Sequence, residues 1–419
     1  MHITLLLLFT LVTAEDELFA PREFDSLIMA DYVADTTSKN RLEEFHYSMF
    51  RAITFIPSGK VLNLERRRNG TFQYENIEFL SVERMNIMEN PGLSFTTGSY
   101  STWNGSEITR LNGFANSSED PRISVVGDRA IVSFTIKTGV THHENKGFFQ
   151  RWMAVSYFDS FNIVLLKIPG VQNFLEKNWA PFSKNGELLF VYSFDPLIIL
   201  NCNPENAECK IIYKDAGVSF PIDTRKSHLR GGTNLVPVSE TDDRYYIGGC
   251  HTFFHWKDIF HFYVVVVLDT VEWKIIHVSK PVRFKYDGQL VGWGSHIQLG
   301  RVGNTLADMY VDHLGMKFFI QDPISLMRVA NNTFLTTVNV RDCVSLLYEL
   351  RIPLDDIILE NGKEPRKPLG YWNQRAHEMT DWLGDHFKQA LQKKHNLAGV
   401  RGSHTADGQP IPSWRFNYC

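Results

Sequence analysis

The sequence has little cysteine, no long apolar run after its N-terminus and no large excess of charge. Its formal net charge is -4, so it offers no basic footprint for nucleic acid. Phe260–Leu268 is apolar, but it is far shorter than the ~20 residues that span a bilayer and is typical of a buried strand. No CxxC motif or His/Cys cluster indicates zinc, and we expect neither a metal nor a cofactor.

The N-terminus and the sequons indicate the secretory pathway. Ile3–Val12 is a short apolar run that ends in Val-Thr-Ala, which predicts a signal peptide over 1–14, with an uncleaved anchor left open. We expect no stable membrane span and an extracellular or lumenal protein. Four Asn-x-Ser/Thr sequons are candidate glycosylation sites: Asn69, Asn104, Asn116 and Asn331.

The five cysteines fit an oxidising compartment. Cys202 and Cys209 bracket a polar loop and are predicted to form a local disulfide. Cys250 and Cys343 lie in strand-like segments, where they either pair with each other or stay reduced. The odd count leaves at least one thiol unpaired within the chain.

One short unit recurs five times: an apolar strand, a tight polar turn and a second strand. This unit recurs about every 60 residues, which is typical of a radial array of sheets. The predicted turns are Pro57-Ser58-Gly59-Lys60, Gly127-Asp128-Arg129, Lys184-Asn185-Gly186-Glu187, Thr241-Asp242-Asp243-Arg244 and Val302-Gly303-Asn304-Thr305. The pattern predicts an all-β fold, a five-bladed β-propeller with a central funnel.

The repeats set the predicted domain limits. An irregular polar arm is expected over 15–40, the propeller over 41–352, and a C-terminal helix and tail over 353–419. The helix is predicted from apolar residues at steps of three and four, which form one helical face. These residues are Trp372, Ala376, Met379, Leu383, Phe387 and Leu391.

Polar clusters precede or end the first strands of the repeats, so in a propeller they would converge on the funnel. Carboxylates, Arg, Lys, His and Trp together are typical of a sugar site. Cleavage of a glycosidic bond needs one carboxyl group to protonate the leaving oxygen, and a nucleophile on the opposite face. The nucleophile is either a water activated by a second carboxylate or an anion held by cationic side chains.

Four of these clusters carry a resemblance to a known family. Glu119-Asp120-Pro121-Arg122, the unit from Glu176 to Phe182, Gly231-Gly232-Thr233 and the strand Tyr245–His251 occur in that order. In this respect the chain resembles the five-bladed mannoside phosphorylases of glycoside hydrolase family 130 and the related mannosyltransferases, over roughly 45–329. The resemblance implies an inverting carbohydrate-active enzyme in which Asp120 is the general acid.

The resemblance also implies the other site roles. A carbohydrate substrate and an anionic partner, phosphate or a nucleotide sugar, would be held in the funnel. The residues implied in binding are Arg122, Lys177, Asn178, Arg230, Thr233, His251 and Asp312.

Three alternatives remain open at this point. Blade one lacks the family's Asn-Pro segment, so a hydrolase is open, with Glu176 as the base for water. A transferase that uses a nucleotide sugar is open for the same reason. A catalytically silent propeller that binds glycans or a protein is the third, because the Asn116 sequon lies close to Asp120. A hydrolase of the furanosidase type fits less well, because the strand 47–53 offers no Asp or Glu.

Overall fold

The chain folds into five four-stranded antiparallel sheets, as predicted for a five-bladed propeller. The computed structural model describes residues 28–35, 47–55, 60–68, 75–83, 100–103, 115–143, 146–157, 163–170, 177–256, 258–282, 284, 321–340 and 344–381. The first strand in the chain, β1 (Met29–Asp35), belongs to the last sheet.

The first four blades each use four consecutive strands. Blade one contains β2 (Tyr47–Phe55), β3 (Lys60–Arg68), β4 (Glu75–Glu83) and β5 (Tyr100–Trp103). Blade two contains β6 (Ala115–Val126), β7 (Arg129–His143), β8 (Lys146–Tyr157) and β9 (Ile163–Leu165). Blade three contains β10 (Ala180–Lys184), β11 (Glu187–Phe194), β12 (Leu197–Cys202) and β13 (Cys209–Lys214). Blade four contains β14 (Arg230–Pro237), β15 (Tyr245–Trp256), β16 (Asp258–Asp269) and β17 (Lys274–Val278).

Blade five closes the ring with both ends of the described chain. It contains β18 (Gln321–Ala330), β19 (Thr333–Val340) and β20 (Val344–Arg351), and β1 pairs with β20 along its outer edge. The first strands β2, β6, β10, β14 and β18 contact one another in this order, and β18 contacts β2. Because the five inner strands form a closed ring, their ends surround one central funnel.

Two sequence predictions need correction. The fifth turn predicted at 302–305 lies outside the described residues, and the inner hairpin of blade five instead turns at Asn331-Asn332. The segment 15–40 is not irregular throughout, because Met29–Asp35 is a strand of the propeller itself. Its pairing partner lies near the other end of the propeller sequence, so no local pattern indicated it.

The apolar core lies in layers between neighbouring blades. Blades two and three share a layer that includes Met153, Trp179 and Phe190. Trp179 is 1% exposed and packs edge-on against Phe190, so it is a core residue rather than a sugar platform. Similar layers join blade three to blade four and blade four to blade five.

Two glycines allow blade four to approach its neighbours closely. A Cβ atom on Gly231 would clash with the backbone carbonyl oxygen of Asn178 in blade three. A Cβ atom on Gly232 would clash with the ring of Pro323 in blade five. The Gly-Gly pair is therefore a packing requirement at the rim of the funnel, since any other residue would push the blades apart.

Helices follow the last blade and pack on its neighbours. Helix α1 (Leu354–Asn361) places Leu354 and Ile357 in the core beside blade five. Residues 371–381 form a second helix, α2, which buries Ala376 completely against blades three and four. The other predicted positions of this face, Leu383, Phe387 and Leu391, lie outside the described residues. None of the described helices is long and apolar enough to cross a bilayer.

Candidate active site

The funnel contains a cavity of about 300 Å³ whose walls come from four blades. Asp120, Lys177, Arg230 and His251, four residues predicted from the sequence, all line this cavity. They come from three different blades, and the ring of inner strands brings them together. The lining residues used below are Asp120, Arg122, Arg151, Lys177, Asn178, Tyr192, Ser193, Phe194, Ser227, Leu229, Arg230, His251 and His261.

Asp120 enters the cavity from a β-bulge. The register between β6 and β7 shifts between Glu119 and Arg122, and Asp120 has a left-handed backbone with φ of 54°. Such a conformation is uncommon for a residue other than glycine, and bulges of this kind redirect side chains at functional sites. The Asp120 side chain is 9% exposed and forms an ion pair with Lys177, with 3.1 Å between Oδ2 and Nζ.

Arg122 holds the rim of the cavity together. Its Nε donates a hydrogen bond to the Gly232 carbonyl oxygen, and its Nη1 donates to the Asp120 carbonyl oxygen over 3.0 Å. It is 3% exposed. The guanidinium thus connects blade two to blade four, and these contacts fix the backbone of Asp120. The sequence predicted an anion-binding role, whereas these two hydrogen bonds are structural.

Arg230 and His251 face each other on neighbouring strands of blade four. Arg230 stacks over the ring of Phe253 at 4.0 Å, and its Nε donates to the Ser227 carbonyl oxygen over 2.9 Å. Burial lowers the pKa of the Arg230 guanidinium, and the Asp223 carboxylate opposes that shift. Even so, arginine stays protonated in proteins, so Arg230 supplies a fixed positive charge.

His251 is a buried and neutral imidazole. It is 6% exposed, and its ring centre lies 4.7 Å from that of His261. Burial lowers the pKa of His251 well below its ordinary value, and the charges of His261, Arg230, Lys177 and Arg122 lower it further. At neutral pH His251 can therefore offer one donor and one acceptor, but no positive charge.

Other predicted site residues have different placements. Asn178 lines the cavity and has a left-handed backbone with φ of 65°. Thr233 is fully buried away from it, where its Oγ1 accepts a hydrogen bond from the Gly249 amide over 2.8 Å and donates to the Asn234 carbonyl. The predicted substrate contact at Thr233 is therefore wrong, because its hydroxyl bonds the backbone of its own blade. Glu176 and Asp312 lie outside the described residues.

The predicted cysteine and glycan sites are placed as follows. A disulfide joins Cys202 to Cys209, and Cys250 is a buried free thiol. Asn331 is exposed at the hairpin turn of blade five. Asn69, Asn104 and the Asn116 side chain lie outside the described residues.

Arg151, Ser193 and His261 line the cavity but were not predicted from the sequence. They lie on the second and third strands of their blades, while the sequence argument considered only the ends of inner strands. A β-bulge between β11 and β12 at Val191 to Ser193 redirects the side chains there. Such a bulge has no signature in one sequence, so these residues could be found only from the structure.

Positive charge dominates the described lining of the cavity. Lys177, Arg230 and Arg151 lie in it beside the Asp120 carboxylate. An anion entering this partly enclosed space would be attracted strongly, because low-dielectric walls reduce screening. The Asp120 carboxylate in the same cavity is a group that can accept or donate a proton.

One family model matches part of the chain. Residues 153–306 match the family model of beta-mannosyltransferases. The match covers less than half of the chain, and the matched segment contributes Lys177, Arg230 and His251 to the cavity. It agrees with the family resemblance seen in the sequence.

Individual relatives match over short regions. Beta-mannosyltransferase 2 of Komagataella phaffii is 34% identical over 130 residues, which cover 29% of this chain and 19% of that protein. Beta-mannosyltransferase 3 of Candida albicans is 50% identical over 68 residues, which cover 15% of this chain and 11% of that protein. The aligned part is thus less than a fifth of either relative.

Similar solved structures include two proteins of Leishmania mexicana. The mannose phosphorylase MPT-4 is 10% identical with a TM-score of 0.46, covering 78% of this chain and 91% of that one. The GDP-Man-dependent mannosyltransferase MPT-1 is 10% identical with a TM-score of 0.44, covering 82% of this chain and 96% of that one.

Proposed function

We propose that this protein is an inverting enzyme that transfers a mannosyl group between a mannoside and an anionic carrier, phosphate or a nucleoside diphosphate. The observation that carries the proposal is the position of the Asp120 carboxylate, beside Lys177 in a cavity also lined by Arg151 and Arg230. The beta-mannosyltransferase match over 153–306 indicates mannose as the sugar.

Asp120 would move the proton in either direction of the reaction. In synthesis, the acceptor hydroxyl gives its proton to Asp120 while its oxygen bonds the anomeric carbon. The carrier then leaves from the opposite face with the electron pair on its phosphate oxygen. In phosphorolysis, Asp120 gives a proton to the leaving glycosidic oxygen while a phosphate oxygen attacks the anomeric carbon.

Lys177 would couple binding of the anionic carrier to the protonation state of the Asp120 carboxyl group. Its ammonium group pairs with the Asp120 carboxylate, which favours the ionised form needed for synthesis. An incoming phosphate competes for the same ammonium group, and a carboxylate that loses this partner can more readily carry a proton. One cation can therefore serve both the anion site and the proton donor.

A product assay tests the proposal. The purified protein is incubated with a β-mannoside and phosphate, with GDP-mannose and a mannoside acceptor, and with a β-mannoside in buffer alone. Mannose 1-phosphate, or an extended mannoside with GDP, supports transfer with an anionic carrier. Free mannose in buffer alone would instead support the hydrolase, with Glu176 as the proposed base. Binding of glycans without any product would support the silent propeller.

We also propose that the protein acts in the secretory pathway. The support is the apolar segment Ile3–Val12, the disulfide between Cys202 and Cys209 and the exposed sequon at Asn331. Treatment of the cell-derived protein with an endoglycosidase should lower its apparent mass. An unchanged mass would count against this route.

A further inference from the structure

Phe253 supports the Arg230 side chain from behind the wall of the cavity. An arginine side chain has many rotamers, and ordering them when a ligand binds costs free energy. The Cζ atom of Arg230 lies 4.0 Å from the centre of the Phe253 ring. Phe253 is 8% exposed and is not one of the described residues that line the cavity. It would therefore act on a ligand through Arg230 rather than by contact.

The strand register of blade four explains this contact. Arg230 of β14 pairs with His251 of β15. Side chains two residues apart on a strand share a face, so Phe253 lies on the same face of the blade as His251. Phe253 is thus a diagonal neighbour of Arg230, at a separation that long and aromatic side chains can bridge. The guanidinium group is held by this ring face and by the Ser227 carbonyl oxygen, to which its Nε donates.

Two further rings extend this support to helix α2. The His228 ring stacks on Phe253, with ring centres 5.3 Å apart and planes 13° apart. The His377 ring stacks on His228, with ring centres 4.2 Å apart. His377 belongs to α2, so a series of ring contacts runs from the C-terminal helix to the cation at the cavity. The position of the Phe253 ring is therefore fixed from behind as well.

We infer that Phe253 is a positioning residue that holds the Arg230 guanidinium group in place for the phosphate groups of the carrier, an inference that rests on the proposed function. A ring face attracts a guanidinium group through its quadrupole, and the attraction is stronger where the pair is shielded from water. Leucine or methionine at position 253 would fill space but would offer no ring face. Part of the binding free energy of an anion would then be used to order Arg230.

The test is calorimetric titration of inorganic phosphate and of GDP into the wild type, Phe253→Leu and Phe253→Tyr. Phe253→Leu should bind both anions about 3- to 10-fold more weakly than the wild type. Phe253→Tyr should retain the affinity of the wild type, because tyrosine keeps the ring face. Thermal unfolding without ligand shows which variants fold, and Phe253→Met replaces Phe253→Leu in the comparison if leucine unfolds the blade.

Tyr157→Leu is a matched control in blade two. The Cζ atom of Arg129 lies 3.5 Å from the centre of the Tyr157 ring, and neither residue is one of the described residues that line the cavity. Tyr157→Leu therefore removes the same kind of contact away from the cavity. It should leave the affinities for phosphate and GDP unchanged, and a loss equal to that of Phe253→Leu would contradict the inference.

A double substitution separates positioning of Arg230 from general packing of the blade. Arg230→Ala should weaken anion binding more than Phe253→Leu does, and adding Phe253→Leu to it should weaken binding no further. The reason is that the ring then has no guanidinium group to hold. An equal effect of Phe253→Leu with and without Arg230 would show that Phe253 acts through packing, which overturns the inference.

The remaining outcomes distinguish this inference from the proposed function. Equal anion binding by Phe253→Leu and the wild type overturns the role of Phe253 alone. A loss in Phe253→Tyr equal to that in Phe253→Leu overturns the role of the ring face. Failure of the wild type to bind either anion overturns this inference together with the anionic carrier of the proposed function.

Discussion

Asn373→Ala should loosen the wall of the cavity from a distance, through helix α2. The Asn373 Oδ1 accepts hydrogen bonds from the Ser227 hydroxyl over 2.8 Å and from the His228 and Leu229 amides over 3.1 Å. Its Nδ2 also donates to the carbonyl oxygen of Asp195 in blade three. One amide side chain thus fastens the segment that includes the lining residues Ser227 and Leu229.

The structure sets the expected size of this effect. Four hydrogen bonds are lost, and two backbone amides are left without their partner. At about 1 kcal/mol for each hydrogen bond, the free energy of unfolding should fall by about 3 to 4 kcal/mol. Because the segment 227–229 then moves, the affinity for mannosyl ligands should fall as well. Denaturant unfolding and ligand titration measure the two effects separately.

Gln374→Ala is the control for this prediction. Gln374 lies next to Asn373 on the same helix, where its Nε2 donates to the exposed Glu378 side chain. Its loss should change the free energy of unfolding by less than about 0.5 kcal/mol and leave binding intact. If Asn373→Ala resembles Gln374→Ala in both measurements, the proposed link between α2 and the cavity is wrong.

Two further predictions concern the rim and the buried histidine. Gly231→Ala should lower the free energy of unfolding by about 1 to 3 kcal/mol and should lower activity, because the new methyl group displaces Asn178 at the cavity. Gly186→Ala is the control, in an open turn at φ of +74°. It should lower the free energy of unfolding by about 1 kcal/mol through backbone strain and leave activity intact. Equal loss of activity in the two variants would contradict the packing argument. The low pKa of His251 means that the unfolded chain binds a proton as the pH falls through 6.5, while the folded protein resists it. The denaturant concentration at the unfolding midpoint should therefore be lower at pH 5 than at pH 7. His251→Gln should reduce this difference between the two pH values, and an unchanged difference would show that His251 is not responsible.

The blade repeat could be predicted because it is local. Asn185-Gly186 forms a two-residue turn with both residues left-handed, φ of 52° and 74°, which is the conformation that Asn-Gly favours between antiparallel strands. The turns at Gly127 and Asp242 likewise join the first two strands of blades two and four. The turn of the fifth repeat was predicted in the wrong place because the sequence contains another turn-like segment, at 302–305, before the hairpin of blade five at Asn331-Asn332.

The candidate site was only partly predictable for a related reason. Lys177 precedes the first strand of its blade and Arg230 begins one, whereas Asp120 and His251 lie within β6 and β15. The ring of blades brings all four to the funnel. The role of Arg122 depends on which carbonyl groups come within its reach across blades. Across the blades these are the carbonyls of Gly232 and, from Nη2 over 3.5 Å, of Gly231, and no spacing in the sequence reports these distances.

The turnover of Asp120→Asn tests the central claim most directly. Mannosyl transfer by the wild type and the variant is measured in the same assay, and carrier binding is measured by titration. Loss of the only group proposed to move the proton should reduce turnover about 10²- to 10⁴-fold, while the variant stays folded and still binds the carrier. Turnover close to that of the wild type would contradict the assignment of Asp120 as the acid and base of the reaction.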